Sequence, residues 1–128
     1  MPPMSYDSLA GLKVLVVEDS FLIAEHVCDL LVRHGCEVVG PVGRLALGLK
    51  LVEDGTPVDG AVLDVNLDGE LCFPIASALA SREVPFVFLT GYDDGSIIPG
   101  DFAVTKRLGK PLDEDKLVRT IAADFVRR

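Results

Sequence analysis

Five side chains stand where apolar runs of the chain end, and their types belong together chemically. They are Glu18 and Asp19 after residues 12–17, Asp64 at the end of 60–65, Thr90 closing 85–90, and Lys110 after 102–108. Three carboxylates brought to one place repel one another, so the set is costly unless something positive is held there. Hard oxygen ligands of this kind suit Mg²⁺, which keeps several waters. A carboxylate can also act as a nucleophile toward a phosphoryl group, giving an acyl phosphate whose charge must be met by a metal and by donors. On this reading Asp64 is the nucleophile. Asp19 and Asp64 hold Mg²⁺ directly with the backbone carbonyl of Asn66, while Glu18 acts through water. Lys110 offers a point charge to one phosphoryl oxygen and the Thr90 hydroxyl donates to another.

These residues converge only if the elements before them run side by side. Strand-like composition appears at 12–17, 36–42, 60–65, 85–90 and 102–108, and each run is followed by a helical pattern or a polar segment. A helix is expected over 20–34, stopped by Gly35, with Ile23, Val27, Leu30 and Leu31 at helix spacing. Others are expected near 44–53, over 73–81 with Pro74 in the first turn, and after Asp113, whose buried stripe is Leu117, Ile121 and Phe125. The segment after Thr90 is rich in glycine, so any helix there is short, and residues 92–102 are expected to be the most mobile part. The strands are continuously apolar rather than alternating, which argues for a sheet covered on both faces. The fold class is therefore α/β: a (βα)₅, doubly wound, parallel five-stranded sheet of flavodoxin-like order 2-1-3-4-5. In that order ligands sit beyond the carboxyl ends of the strands, beside the first and third.

Bulk properties narrow the function. A chain of 128 residues fits one domain, and 49% hydrophobic with 25% charged residues is globular composition. Residues 1–10 are expected to be an N-terminal extension and 11–128 the domain, with no output domain. The formal net charge of −8 opposes direct binding to nucleic acid or to anionic membranes. Cys28, Cys36 and Cys72 lack ligand spacing and read as reduced core thiols. With no signal-peptide pattern and no run of membrane-spanning length, a cytoplasmic location is expected.

The spaced set VVED (16–19), LDVN (63–66), LTG (89–91) and GKP (109–111) resembles the receiver domains of two-component signalling, over nearly the whole chain from Leu12 onward. The resemblance implies a response regulator that becomes an aspartyl phosphate at Asp64, with a histidine kinase as donor. It also implies a cis bond before Pro111. PFVFLTGY (85–92) is similar to the FAT GUY subgroup, often stand-alone receivers served by HWE-type histidine kinases. Such a protein is no enzyme beyond its own phosphorylation and dephosphorylation. It acts as a switch, shuttle or phosphate sink through a downstream protein or phosphotransfer partner, as a monomer or weak dimer. Most receivers carry an aromatic three residues before the lysine, where this chain has Arg107. Signalling is therefore expected to be read from ordering of residues 92–102, and the resemblance makes Asn66 and Tyr92 modulators of phosphoryl lifetime.

Simpler readings exist for each residue alone. Glu18-Asp19 could complement a helix N-terminus, Thr90-Gly91 could be a turn, and Lys110-Pro111 a solvated loop. Asp68 and Gly69 read as an ordinary polar turn, and His26 and His34 lack a third ligand and receive no function. Arg127-Arg128 reads as a helix-end charge. A haloacid-dehalogenase-like phosphotransferase would want a carboxylate where Asn66 stands. A phosphate-independent interaction module has no need of the repelling acids, and flavin binding lacks its phosphate loop.

Overall fold

The computed structural model describes residues 9–91 and 97–126. Strand β1 (Lys13–Val17) leads to helix α1 (Phe21–Arg33), strand β2 (Glu37–Val42) and helix α2 (Leu45–Glu53). Strand β3 (Gly60–Asp64) is followed by a two-stranded hairpin, β4 (Asn66–Leu67) with β5 (Glu70–Leu71), and by α3 (Phe73–Ser81). Strand β6 (Phe86–Thr90), a 3₁₀ turn (Gly100–Phe102), strand β7 (Arg107–Gly109) and helix α4 (Glu114–Asp124) complete the described chain. The main sheet is parallel at every pairing and ordered β2-β1-β3-β6-β7, which is the expected 2-1-3-4-5 once the hairpin is set aside.

Both faces of this sheet are buried, and the alternation of strand side chains divides the core in two. Val14, Val16, Val62, Val87 and Leu89 pack with Val27, Leu30 and Leu31 of α1 and with Leu117, Ile121 and Phe125. On the opposite face Leu15, Val17, Ala61, Leu63 and Phe88 pack with Val52 of α2 and with Ile75, Ala76 and Leu79 of α3. Leu9, upstream of the expected domain start, is already fully buried in the first of these cores. Gly60 is required where it stands, because a Cβ there would lie 2.3 Å from the Phe125 ring.

The helix signals act where the residue chemistry places them. The Ser20 side chain accepts from the Ile23 N–H at the start of α1, and Asp113 accepts from the Lys116 N–H at the start of α4. Gly35, with φ +87°, ends α1. All three cysteines are free thiols; Cys36 and Cys72 are buried and Cys28 is half-buried. His34 bonds the Leu30 carbonyl through Nδ1, and His26 meets Glu114 at the surface. No described helix is long and apolar enough to cross a membrane.

Two local expectations change. The last strand is not 102–108 but three residues, because Phe102 turns inward to pack on Phe73, Phe86 and Phe88, with ring centroids 5.8–5.9 Å apart. The hairpin after Asp64 was not expected. Its turn is polar, as Asp68 and Gly69 indicated, with φ of 55° and 95°, and the Asn66 side chain accepts from the Gly69 N–H at 2.7 Å. Between β6 and β7 the described residues take 3₁₀ conformation at Ile97 and at Gly100–Phe102, and the Tyr92 reading falls outside them. So does that for Arg127-Arg128.

Candidate functional site

The site is made by the points at which β1, β3 and β6 and the edge strand β7 stop. Glu18 follows β1, and its N–H still bonds the Val42 carbonyl at the end of β2, which holds the loop against the sheet. The Ser20 N–H returns to Glu18 Oε2 at 3.0 Å, so the residue that caps α1 also steadies this carboxylate. Gly43 packs beside Asp19: a Cβ built on it would be 3.4 Å from the Asp19 Cα. Asp64 ends β3, where the Asn66 N–H donates to Oδ1 at 3.3 Å. Lys110 follows β7, and its N–H bonds the Thr90 carbonyl at 2.9 Å, tying the ends of β6 and β7 together.

Carboxylate oxygens of Glu18, Asp19 and Asp64 lie within 4.8 Å of one another. Glu18 and Asp64 are buried and Asp19 is exposed, so the cluster opens to solvent on the Asp19 side. The Lys110 ammonium lies 3.1 Å from Glu18 Oε1 and 3.1 Å from Asp64 Oδ1. Burial, then the Glu18 and Asp19 carboxyl groups, push the Asp64 carboxyl up to about 8, against the opposing pull of Lys110. Burial works to lower the Lys110 ammonium, but Asp64 and Glu18 outweigh it and hold it above the ordinary lysine value.

Glu18 Oε1 is fully buried, and the Lys110 ammonium 3.1 Å away meets it as a charge without the alignment of a hydrogen bond. A buried anionic oxygen in that state is a costly feature, and one cation shared between two buried carboxylates offsets it incompletely. The donor set is hard oxygen throughout and one acid faces solvent, which fits a hydrated divalent cation such as Mg²⁺.

Of the residues picked out by sequence, Glu18, Asp19, Asp64 and Lys110 meet in one cluster, and Asn66 joins it through its N–H. Thr90 is buried beside it, but its hydroxyl donates to the Leu108 carbonyl at 3.4 Å. Arg107 is exposed, and its guanidinium donates to the Ala103 carbonyl at 3.5 Å. The sequence did not point to the cleft of about 410 Å³ beside the cluster, lined by Asp19, Gly43, Arg44, Leu67, Asp68 and Glu70. Nothing in the periodicity of α2 distinguishes its first residues from any solvated helix start.

No family model and no curated protein matches the chain. Solved structures do. SdrG from Sphingomonas melonis Fr1 is 41% identical, with TM-score 0.77, over 94% of this chain and 98% of that one. The BeF₃-activated conformation of SdrG from Pseudomonas melonis Fr1 is 42% identical, with TM-score 0.72, over 89% of this chain and 96% of that one. The signal receiver domain of a modulated diguanylate cyclase from Desulfovibrio desulfuricans G20 is 27% identical, with TM-score 0.77, over 90% and 94%. A response regulator receiver protein from Sinorhizobium medicae WSM419, at 18% identity and TM-score 0.77 over 91% and 96%, shares the fold. With this sheet order, an acidic cluster at the strand ends and these relatives, the chain belongs to the response-regulator receiver domains.

Proposed function

We propose that this receiver domain acts as a response regulator that accepts a phosphoryl group on Asp64 from a histidine kinase, with Mg²⁺ bound by Asp19, Asp64 and the Asn66 carbonyl and Glu18 acting through water. One observation carries the reading: Asp64 stands at a strand end, 3.1 Å from the Lys110 ammonium and beside two further carboxyl groups. An Asp64 oxygen attacks phosphorus, a P–O bond forms, the P–N bond to the donor imidazole breaks, and the imidazole keeps the electron pair and takes a proton. Mg²⁺, when bound, supplies positive charge that favours the ionised Asp64 and meets charge on the phosphoryl oxygens. Lys110 is within reach of an oxygen on a group bonded to Asp64. The Thr90 hydroxyl has to leave the Leu108 carbonyl to donate to another.

With Arg107 exposed and no aromatic at that position, the signal is read from ordering of residues 92–102 on phosphorylation rather than through an inward-turning ring. The output is a protein partner, a further phosphotransfer or the draining of kinase phosphate. The kinase is of HWE type, the protein is cytoplasmic, and it works as a monomer or weak dimer. SdrG, which has a BeF₃-activated conformation, supports the reading, since beryllofluoride on a carboxylate mimics a phosphoryl group.

Intact mass after incubation with acetyl phosphate tests it, using wild type and Asp64→Asn, each with Mg²⁺ and with chelator. A single phosphoryl adduct is expected for wild type with metal alone. Absence of the adduct under every condition, together with no binding of beryllofluoride, overturns the reading in favour of a phosphate-independent module.

A further inference from the structure

The cleft beside the acidic cluster is electrostatically unwelcoming to the donor that the proposed function requires. Its charged lining is Asp19, Asp68 and Glu70 against the single cation Arg44. Deeper in, the Lys110 ammonium is already engaged by Glu18 and Asp64. A phosphoryl donor is itself an anion, so its approach to Asp64 runs through a field of its own sign.

Arg44 is the exception in that field, and it is uncommitted. It precedes α2 without a capping bond from its side chain, and no hydrogen bond or ion pair holds its guanidinium among the described residues. The backbone that carries it is tied to the acidic cluster, since the Val42 carbonyl two residues earlier accepts from the Glu18 N–H. Its side chain is exposed and lines the cleft that opens beside Asp19, where it is the one cation among three acids.

Resting on the reading of Asp64 as phosphoacceptor, we infer that Arg44 is a donor-contacting residue. It draws the phosphoryl group of the incoming donor into the cleft and orients it toward Asp64. The ligand chemistry is a phosphoryl anion, whose oxygens match the planar guanidinium fork. That chemistry is shared by a phosphohistidine side chain and by a small acyl phosphate.

The test compares rates of adduct formation by intact mass for the full chain with Mg²⁺, using acetyl phosphate and phosphoimidazole as donors. Arg44→Gln is expected to slow both by about fivefold at low salt, the rate equivalent of the ~1 kcal/mol exchanged by two unit charges 4 Å apart in water. Arg44→Glu is expected to slow them further, and Arg44→Lys to fall between wild type and Arg44→Gln, since it keeps the charge and loses the fork. The difference from wild type should shrink as ionic strength rises, which a merely structural role would not produce. An unchanged rate in Arg44→Gln, with the wild type still forming its adduct, overturns the inference and leaves the phosphoacceptor reading standing. Slowing confined to acetyl phosphate overturns it too, by placing the contact on the acyl group. No adduct in the wild type with either donor, together with no binding of beryllofluoride, removes the reading and this inference together.

Discussion

Two ionic clusters in this molecule use the same kinds of side chain at similar distances and have opposite consequences. At the strand ends Lys110 sits 3.1 Å from both Glu18 and Asp64, whose side chains are at most 2% exposed. On the surface His26 Nε2 is 2.6 Å from Glu114 Oε2 and Arg33 is 3.5 Å away, each of the three more than 40% exposed. Burial decides the difference. In the first cluster desolvation dominates and pushes Asp64 up to about 8. In the second the His26 hydrogen bond, helped by the Arg33 charge, holds Glu114 below its ordinary value. One cluster stores unfavourable energy that a bound cation can release; the other only fastens α1 to the start of α4.

The largest effect should come from removing the half-buried cation at the strand ends. Lys110→Met leaves Glu18 and Asp64 facing each other without a counter-charge. The metal-free protein should lose about 3 kcal/mol at pH 8, since breaking a buried pair strands the remaining charge. Denaturant unfolding in chelator measures it. The same experiment at pH 5 should show a slightly smaller loss, because Asp64, half ionised at pH 8, is then fully protonated while Glu18 keeps its charge. An equal loss at both pH values would place the cost in lost packing of the lysine stem rather than in charge.

The strain in that cluster has a pH signature of definite sign. Asp64 has a folded value of about 8 against about 4 in an unfolded chain, so between these limits the native state binds more protons. Metal-free stability should therefore be fullest below about pH 4 as far as this group is concerned, and fall as pH rises toward 8. The size is on the order of a few kcal/mol. Lys110, held above its usual value, contributes in the same direction only at more alkaline pH, where its own charge is lost. Unfolding curves across pH 5 to pH 8 should slope downward for wild type and lose most of that slope in Asp64→Asn. Adding Mg²⁺ should raise stability more at pH 8 than at pH 5, because the cation competes with the proton for the same oxygens.

The contrast between the clusters also separates what could be read from residues from what could not. The acid pair, Asp64 and Lys110 were visible because each ends an apolar run, and parallel strands bring such ends together whatever the intervening sequence. Sheet order followed from the same continuity of apolar residues. The hairpin at Asn66–Leu71 did not, because two-residue strands carry no period and depend on the Asn66 side chain finding the Gly69 N–H. Phe102 was read as a strand residue because its type fits one; its inward turn depends on three other phenylalanines that are distant in sequence. The bond from Thr90 to Leu108, and the cleft that singles out Arg44, are products of tertiary packing with no local signature.

The surface cluster supplies the smallest expected effect and the sharpest contrast. Glu114 is depressed by its partners, so whatever it contributes is present above the ordinary glutamate range and is lost as pH falls through its lowered folded value. That slope is opposite to the one from Asp64. Because the three side chains are exposed, long and hydrated, most of the attraction is screened and offset by the entropy of holding them. Glu114→Gln should therefore shift the unfolding midpoint slightly at low salt and not measurably at high salt, while leaving the pH 5 to pH 8 slope intact. It should also leave the rate of adduct formation at Asp64 unchanged, as the residue lies outside the strand-end cluster. A change in that rate would mean that the clasp between α1 and α4 helps to set the position of Lys110, four residues before Glu114 in the chain, and the two clusters would then have to be treated as one coupled network.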